Sequence, residues 1–279
     1  MKIKEQYRML TEPAPDESAA IARLDEIVRI LRVQCPWDRE QDHRSLRGAL
    51  IEEAYEAADA IDRGDAANLR EELGDVLLQV VFHAELAREE KDYDLTAVIN
   101  EECEKMIRRH PHVFSDENLK TVDKILEKWE NIKSAEHGEQ TAADHLQAVP
   151  RALPALIRSR KVQKRAADAG LDWDDVSGSL DKLAEESQEL KEACRRGEKE
   201  AMTEELGDLL FSVVNVSRFM GISPEEALTK ATDKFIRRFA RVEELAAASG
   251  RPLRDLDPDT LDVLWEKAKN DTRSIPQTQ

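Results

Sequence analysis

Two acidic patterns lie close together in the chain and have the composition of a divalent-metal site. Residues 52–56 read EEAYE, an EExxE pattern, and residues 72–75 read ELGD, an ExxD pattern. Carboxylates three positions apart on a helix are neighbours on one face. A set of carboxylate ligands without histidine or cysteine favours magnesium or manganese over zinc or copper. The spacing therefore predicts a magnesium site, which manganese could also occupy.

Both acidic patterns occur a second time with the same separation. EESQE at 185–189 and ELGD at 205–208 each lie 133 positions after their first occurrence. A basic segment, KMIRR at 105–109, returns as KFIRR at 234–238, and two tryptophans flank each copy at matching distances. Repetition over this length is typical of a duplicated structural module. We therefore predict that one module is used twice.

The residues around the acids have helical periodicity. Apolar side chains recur every three or four positions over 46–62, and Gly64 follows as a stop signal. The same reasoning predicts helices over 69–89, 179–195 and 201–220. No alternating pattern is long enough to predict a strand. The sequence therefore predicts an all-α fold of two tandem four-helix modules in bundle form.

The second acidic helix of the first copy is apolar around nearly its whole circumference, which predicts a buried helix. Its polar residues Glu72, Asp75, Gln79 and His83 are confined to one strip, and Asn68 is a candidate N-cap. These acids are expected to point inward, toward the EExxE helix. Four carboxylates that meet in a partly buried crevice repel one another unless cations neutralise them.

The domain boundaries follow from a change in composition between the copies. Residues 134–150 are polar, lose the apolar periodicity and end in proline, so we predict a linker there. The first domain is predicted to span 1–133 and the second 151–279.

Composition excludes several classes of partner. The net charge of −17 and the isoelectric point of about 4.9 argue against nucleic-acid binding. No stretch approaches the eighteen or so apolar residues of a membrane span, and no signal peptide is apparent. Three cysteines without a CxxC pair suit neither a disulfide framework nor a zinc cage. We therefore expect a cytoplasmic protein without membrane or nucleic-acid partners.

With these motifs the sequence resembles the MazG family of nucleoside triphosphate pyrophosphohydrolases. The resemblance rests on CPWDREQ at 35–41, the EExxE and ExxD pairs, and RRHPHVF at 108–114. It implies an all-α, homodimeric, magnesium-dependent enzyme that converts a nucleoside triphosphate to the monophosphate and pyrophosphate. A metal-activated water would attack the α-phosphorus, and the role would be nucleotide-pool housecleaning. Each copy would complete its bundle from the other copy or from a second chain.

The resemblance also assigns roles to particular residues, including Glu52 and Glu185 as catalytic acids that orient water or contact the nucleotide. The implied metal ligands are Glu53, Glu56, Glu72 and Asp75 in the first copy and Glu186, Glu189, Glu205 and Asp208 in the second. The implied substrate-binding residues are Glu71, Lys105, Arg109, Trp129, Lys133, Lys182, Glu204, Lys234, Arg238, Trp265 and Lys269.

One difference separates the copies. Lys182 lies four positions before Glu186, and its counterpart in the first copy is Ala49. The second copy is therefore expected to be the more active site, although Arg47 could substitute for the missing cation.

Two other classes of function stay open on the sequence. A di-iron carboxylate bundle needs two ExxH motifs, and Glu40 with His43 has that spacing in one place outside the acidic helices. The second class is a non-catalytic, nucleotide-binding regulatory protein. The preferred base is not determined by these patterns.

Overall fold

The computed structural model describes residues 3–116, 121–136, 141–248 and 250–273. These residues form α-helices and two short 3₁₀ helices, at Glu5–Thr11 and Leu253–Asp255, and contain no strand. The chain divides into two compact units, of which one ends at Trp129 and the other begins at Glu130. The prediction of an all-α fold with tandem helical modules is confirmed.

Among the described residues before 137 there are seven α-helices, and five of them have fifteen or more residues. They are α1 (Glu17–Gln34), α2 (Pro36–Arg39), α3 (Arg47–Arg63), α4 (Ala66–Glu90), α5 (Leu95–Arg109), α6 (Pro111–Phe114) and α7 (Val122–Glu136).

Six helices follow, and again five are long. They are α8 (Ala142–Gln147), α9 (Ala155–Asp168), α10 (Val176–Arg196), α11 (Lys199–Phe219), α12 (Pro224–Ala248) and α13 (Pro258–Arg273). The short helix α8 lies inside the predicted linker and packs against α9. Its start is fixed by a reciprocal capping box between Thr141 and Asp144.

The two acidic helices of each copy form a helical hairpin. A two-residue turn joins α3 to α4 and another joins α10 to α11, and each pair packs along its length. Gly64 and Gly197 end the first helix of each pair in the left-handed conformation, with φ of 65° and 74°. Glycine adopts this conformation without the penalty that a Cβ imposes. The hairpin is the element that brings an EExxE helix beside its ExxD helix.

The N-caps of the two ExxD helices differ. The Asp65 side chain accepts hydrogen bonds from the amides of Ala67 and Asn68 at the start of α4. At the start of α11, Glu198 makes no side-chain cap. The expected cap at Asn68 is wrong. Helix α4 begins at Ala66, earlier than predicted, so Asp65 is the N-cap and Asn68 lies inside the helix.

The core of the first unit lies between α1 and the C-terminal half of α4. Val28, Val81, Phe82 and Leu86 are buried together with Leu46. In the second unit, α11 packs against α9 and α10, and α12 packs against α13. In each hairpin the buried residues of the second helix, α4 or α11, lie in its C-terminal half, and this half attaches the hairpin to the rest of its unit.

The expectation that the ExxD helices are buried around their whole circumference is wrong within each unit. Leu73 and Leu77 on α4 are 53% and 41% exposed, and Leu206 and Leu210 on α11 are 47% and 50% exposed. Only the C-terminal half of α4 enters the core. The N-terminal half, which carries the acids, packs against α3 on one side and leaves an apolar strip uncovered.

Each unit fixes its tryptophan-bearing segment with an arginine–carboxylate pair, but the roles are reversed. In the first unit Arg32 of α1 donates to both carboxylate oxygens of Glu89 at 3.0 and 2.6 Å and to the carbonyl oxygens of Asp38 and Gln41. This holds the segment around Trp37 against α1 and α4. The Arg32 guanidinium lowers the pKa of Glu89, chiefly by the hydrogen bond.

In the second unit the arginine belongs to the long helix instead. Arg218 of α11 donates to both carboxylate oxygens of Asp172, one of them at 3.0 Å, and to Asn215. The adjacent Trp173 ring lies so close to Gly178 that a Cβ there would be 2.8 Å from the indole. The hydrogen bond from Arg218 lowers the pKa of Asp172.

A histidine pair occurs in the first unit. The Nδ1 atoms of His43 and His83 lie 2.8 Å apart, and the two rings are parallel within 4°. Burial, followed by the proximity of His43, lowers the pKa of His83. The repeat places valine at both corresponding positions, Val176 and Val216, so the second unit has no counterpart. His83 therefore packs against His43, in the segment after Trp37, and does not join the acidic residues.

Two further observations complete the description. Cys35, Cys103 and Cys194 are free thiols. Among the described residues, no helix has the length and hydropathy to cross a membrane.

Candidate metal centres

In the first unit three predicted ligands converge. Glu53 of α3 and Glu72 and Asp75 of α4 each offer a carboxylate oxygen, and these oxygens lie within 4.8 Å of one another. All three residues are half-buried. The positions follow from the hairpin, since the three-residue step between Glu72 and Asp75 keeps both on the side of α4 that faces α3.

The electrostatics of this group are those of uncompensated like charges. Burial raises the pKa of Glu53, and the charges of Asp75, Glu56 and Glu72 raise it further. The fourth predicted ligand, Glu56, lies beside the group rather than within it, and its pKa is raised chiefly by the charge of Glu72. Glu53 and Glu56 therefore hold protons more tightly than isolated acids, and a divalent cation would oppose this effect.

In the second unit two overlapping groups form. Glu186, Glu205 and Asp208 lie within 4.8 Å by their carboxylate oxygens, and so do Glu185, Glu186 and Glu189. Glu186 belongs to both groups, and its side chain is 5% exposed. Burial raises the pKa of Glu189, with added contributions from Glu186 and Glu205. All four predicted ligands of this copy thus belong to one group or the other.

A lysine distinguishes the second unit. The Lys182 ammonium lies 2.8 Å from a carboxylate oxygen of Glu185 and 2.5 Å from one of Glu186. These two hydrogen-bonded acids raise the pKa of Lys182. The same positions in the first unit hold Ala49, Glu52 and Glu53, so its acids have no lysine from this helical turn.

The chemistry of both donor sets fits magnesium. Each offers carboxylate oxygens as ligands: the first unit's group is half-buried, and the second unit's groups combine the buried Glu186 with the exposed Glu189 and Asp208. In each, clustered acids raise the pKa of at least one member. The remaining outer acids, Glu52, Glu71 and Glu204, each precede a predicted ligand in the sequence and are exposed. Their carboxylates are therefore accessible to water.

The predicted phosphate-binding residues lie on the helices after each hairpin. In the first unit the buried Arg109 of α5 has its guanidinium carbon 5.4 Å from the Trp129 ring centroid, so two predicted substrate residues contact each other. Lys105, also on α5, pairs with Glu102, and Lys133 lies half-buried on α7.

In the second unit the corresponding residues lie on α12 and α13. Trp265 packs against Phe235 with a ring-centroid distance of 5.3 Å. The Arg238 Nε atom is buried without a hydrogen-bond partner, and Lys234 is exposed. Lys269 pairs with Glu266 on α13. Tertiary structure thus joins the tryptophan-bearing helix to the basic helix in both units.

One contact to the predicted metal ligands was missed in the sequence analysis. The Asn68 amide donates a hydrogen bond to the carboxylate of Glu72. The four-residue spacing between them is the available sequence signal, because it places both side chains on one helix face. On α11 the Asn215 side chain accepts hydrogen bonds from Arg218.

Comparison with known proteins gives consistent matches. The sequence model described as the MazG nucleotide pyrophosphohydrolase domain matches residues 41–114 and 176–242. These two segments contain all eight predicted metal ligands, whereas Trp129 and Trp265 lie outside them.

Full-length relatives cover most of the chain. A Thermotoga maritima protein named nucleoside triphosphate pyrophosphohydrolase/pyrophosphatase MazG is 47% identical over 84% of this chain and 89% of its own length. An Escherichia coli nucleoside triphosphate pyrophosphohydrolase is 41% identical over 84% of this chain and 90% of its own. A crystal structure of a mazG-related protein from T. maritima aligns with 40% of this chain and 98% of its own, at 32% identity and a TM-score of 0.36.

Proposed function

The chain belongs to the MazG nucleotide pyrophosphohydrolase family, and we propose that it hydrolyses nucleoside triphosphates to the monophosphate and pyrophosphate at its carboxylate hairpins. The observation that carries this proposal is the pair of carboxylate groups that share the buried Glu186. Such a group is costly to assemble unless a cation neutralises the clustered carboxylates.

Magnesium is the proposed cofactor, with manganese as a substitute. Glu186, Glu189, Glu205 and Asp208 would hold it in the second copy, and Glu53, Glu56, Glu72 and Asp75 in the first. When bound, it would supply a Lewis acid for the phosphoryl oxygens and lower the pKa of the attacking water.

The protein's own residues would then position water and phosphate. Glu185 is exposed beside the buried Glu186, so its carboxylate can accept a proton from a water that approaches the α-phosphorus. Glu52 has the same position in the first copy, and Glu71 and Glu204 would contact the nucleotide. Proton acceptance at this point raises the nucleophilicity of water without a covalent intermediate.

Cationic side chains would stabilise the departing pyrophosphate. Lys182 lies at the carboxylate group itself, and Lys234 and Arg238 lie one turn apart on α12. Positive charge near the leaving group lowers the barrier, because negative charge accumulates on it as the bond breaks. Lys105 and Arg109 are the proposed counterparts in the first copy, and Trp129, Lys133, Trp265 and Lys269 would contact the nucleotide in the two copies.

We assign the stronger activity to the second copy. It has two overlapping carboxylate groups and a lysine at the group, whereas the first copy has one group and alanine at the lysine position. The asymmetry supports one principal catalytic centre per chain.

The exposed apolar strips support assembly. Large apolar side chains remain uncovered along the acid-bearing halves of α4 and α11. A second copy of the chain would bury them and complete each bundle, so a homodimer is proposed. Housecleaning of the cytoplasmic nucleotide pool is the corresponding proposed role.

The decisive experiment is a substrate screen with product identification. The full chain is incubated with canonical and modified nucleoside triphosphates and magnesium, with a chelator-treated control, and the products are resolved. We expect the monophosphate and pyrophosphate, and no turnover with the chelator. Diphosphate with free phosphate would refute cleavage between the α and β phosphates. Tight nucleotide binding without pyrophosphate release would favour a regulatory protein instead.

A further inference from the structure

Lys182 occupies the carboxylate group of the second copy in a way that affects cation binding there. Its ammonium is bound at once by Glu185 and Glu186, three and four positions later on α10. An ammonium between two carboxylates fills the same electrostatic role as a bound cation. The group is therefore already partly neutralised by the protein's own side chain.

The carboxylate that Lys182 holds is the one that any bound metal would need. Glu186 is common to both groups of three, and its side chain is 5% exposed. A divalent cation on Glu186 would lie close to the ammonium, and like charges at such short distance repel strongly. Metal and lysine thus compete for one buried carboxylate.

The first copy lacks this competition. Ala49 stands at the corresponding position, so Glu52 and Glu53 have no lysine one turn before them on α3. The two copies of the repeat therefore differ: the carboxylate group of the second has an internal counter-ion, and that of the first does not.

We propose that Lys182 is a displaceable counter-ion, so that its release from Glu186 couples metal binding to nucleotide binding in the second copy. A divalent cation displaces the ammonium, and the phosphates of the nucleotide then accept it. The four-carbon stem of lysine and its exposed position on α10 permit this movement. The inference rests on the proposed function, because it takes a nucleoside triphosphate as the ligand.

The coupling has a thermodynamic consequence. Without nucleotide, displacement leaves the ammonium without its carboxylates, so the metal binds weakly. With nucleotide, the ammonium gains phosphate oxygens, so the metal binds more tightly. Linkage requires the metal to tighten nucleotide binding by the same factor. The first copy should show less of this coupling.

The test measures Mn²⁺ binding by electron paramagnetic resonance, in the full chain carrying Glu72→Gln and Asp75→Asn so that the second site dominates. Binding is measured with and without an α,β-methylene nucleoside triphosphate, which cannot be cleaved between its α and β phosphates. The variants are Lys182→Met, Lys182→Arg and the control Lys191→Met, which removes one positive charge elsewhere on α10.

We expect Lys182→Met to bind Mn²⁺ alone about 10-fold more tightly and to lose most of the tightening caused by the analogue. Lys182→Arg should retain the coupling, and Lys191→Met should change Mn²⁺ binding less than 2-fold, because distant exposed charges are screened. Circular dichroism melts confirm that each variant is folded.

The converse experiment introduces a counter-ion lysine into the first copy. Ala49→Lys, in a chain carrying Glu205→Gln and Asp208→Asn, should weaken Mn²⁺ binding alone and increase the effect of the analogue. Weaker Mn²⁺ binding in Lys182→Met, or an undiminished effect of the analogue, would overturn the proposal. Failure of the proposed function is separate, because it would appear as absence of monophosphate and pyrophosphate in the unmodified chain.

Discussion

The two acidic hairpins have the same carboxylates at the same spacing but different charge environments. In the first, Glu53 and Glu56 are surrounded by other acids, and their pKa values are raised. In the second, Lys182 pairs with two of the acids. The difference between Ala49 and Lys182, one turn before the predicted ligands, therefore gives the second group an internal counter-ion that the first group lacks at this position. Duplication of a ligand pattern does not by itself duplicate a site.

The hairpins also differ in how the rest of the unit holds them. Arg32 fastens the first tryptophan segment from α1, whereas Arg218 fastens the second from the long helix itself. Both arrangements give a bidentate arginine–carboxylate pair, which has the strongest hydrogen-bond geometry available to these groups. The segment before each hairpin is thus held by an arginine–carboxylate pair in both copies, but the paired residues are not at corresponding positions of the repeat.

The largest expected effect tests which hairpin is catalytic. Asp208→Asn should lower the rate of pyrophosphate release at least about 100-fold, because a bound metal contributes several kcal/mol to transition-state stabilisation. The matched change Asp75→Asn should lower it by less than about 3-fold, since the first copy lacks the lysine. Steady-state assays with magnesium measure both. Equal losses would mean that the copies contribute alike. An unchanged rate in a variant that carries both Asp75→Asn and Asp208→Asn would refute the metal assignment.

The next effect concerns stability. Arg32→Met should destabilise the first unit by about 3 kcal/mol, because it leaves Glu89 and two carbonyl oxygens without their donor. Arg218→Met should destabilise the second by about 2 kcal/mol, because it leaves the Asp172 and Asn215 side chains without their donor but no backbone carbonyl oxygen. Urea unfolding, with one probe in each unit, measures the two free energies. If both variants weakened the same unit, the pairing would be wrong.

A smaller effect distinguishes the helix starts. Asp65→Ala should destabilise the first unit by about 1 kcal/mol, because it removes the acceptor for the first amides of α4. Glu198→Asp should stabilise the second unit by up to about 1 kcal/mol, since it installs a capping residue where no side-chain cap exists. The same unfolding measurement applies, with Glu198→Ala as the control that should change little.

The smallest effect is a pH dependence confined to the first unit. His83 has a lowered pKa, so the unfolded chain binds more protons near pH 6 than the folded chain. The associated stability is present above about pH 6.5, the unfolded value, and is lost as the pH falls through the folded pKa. His83→Phe should flatten the change between pH 7.5 and 5.5, whereas Val216→Ala should not. A wild-type profile that persists in His83→Phe would contradict this origin.

Much of the site could be predicted from the sequence because its information is local. The predicted helices at 46–62 and 179–195 lie within three residues of the observed Arg47–Arg63 and Val176–Arg196, and Gly64 ends the first of them as predicted. Each helix carries two of the four predicted ligands of its copy about one turn apart, so helical geometry places them on one face, and the two-residue turn brings the two helices side by side. The proximity of Lys182 to Glu185 and Glu186 has the same origin.

Other features required the tertiary structure, because they join residues far apart in the chain. Arg32 meets Glu89, His43 meets His83 and Arg109 stacks on Trp129 only after helices pack. Leu73 and Leu210 are exposed although the sequence predicted a buried helix. The periodicity of a sequence indicates that a helix face is apolar, but it does not indicate which element covers that face. The sequence by itself determined the repeated carboxylates and their helices. Packing decided which acids have partners and which apolar faces remain open, because both depend on distances between elements.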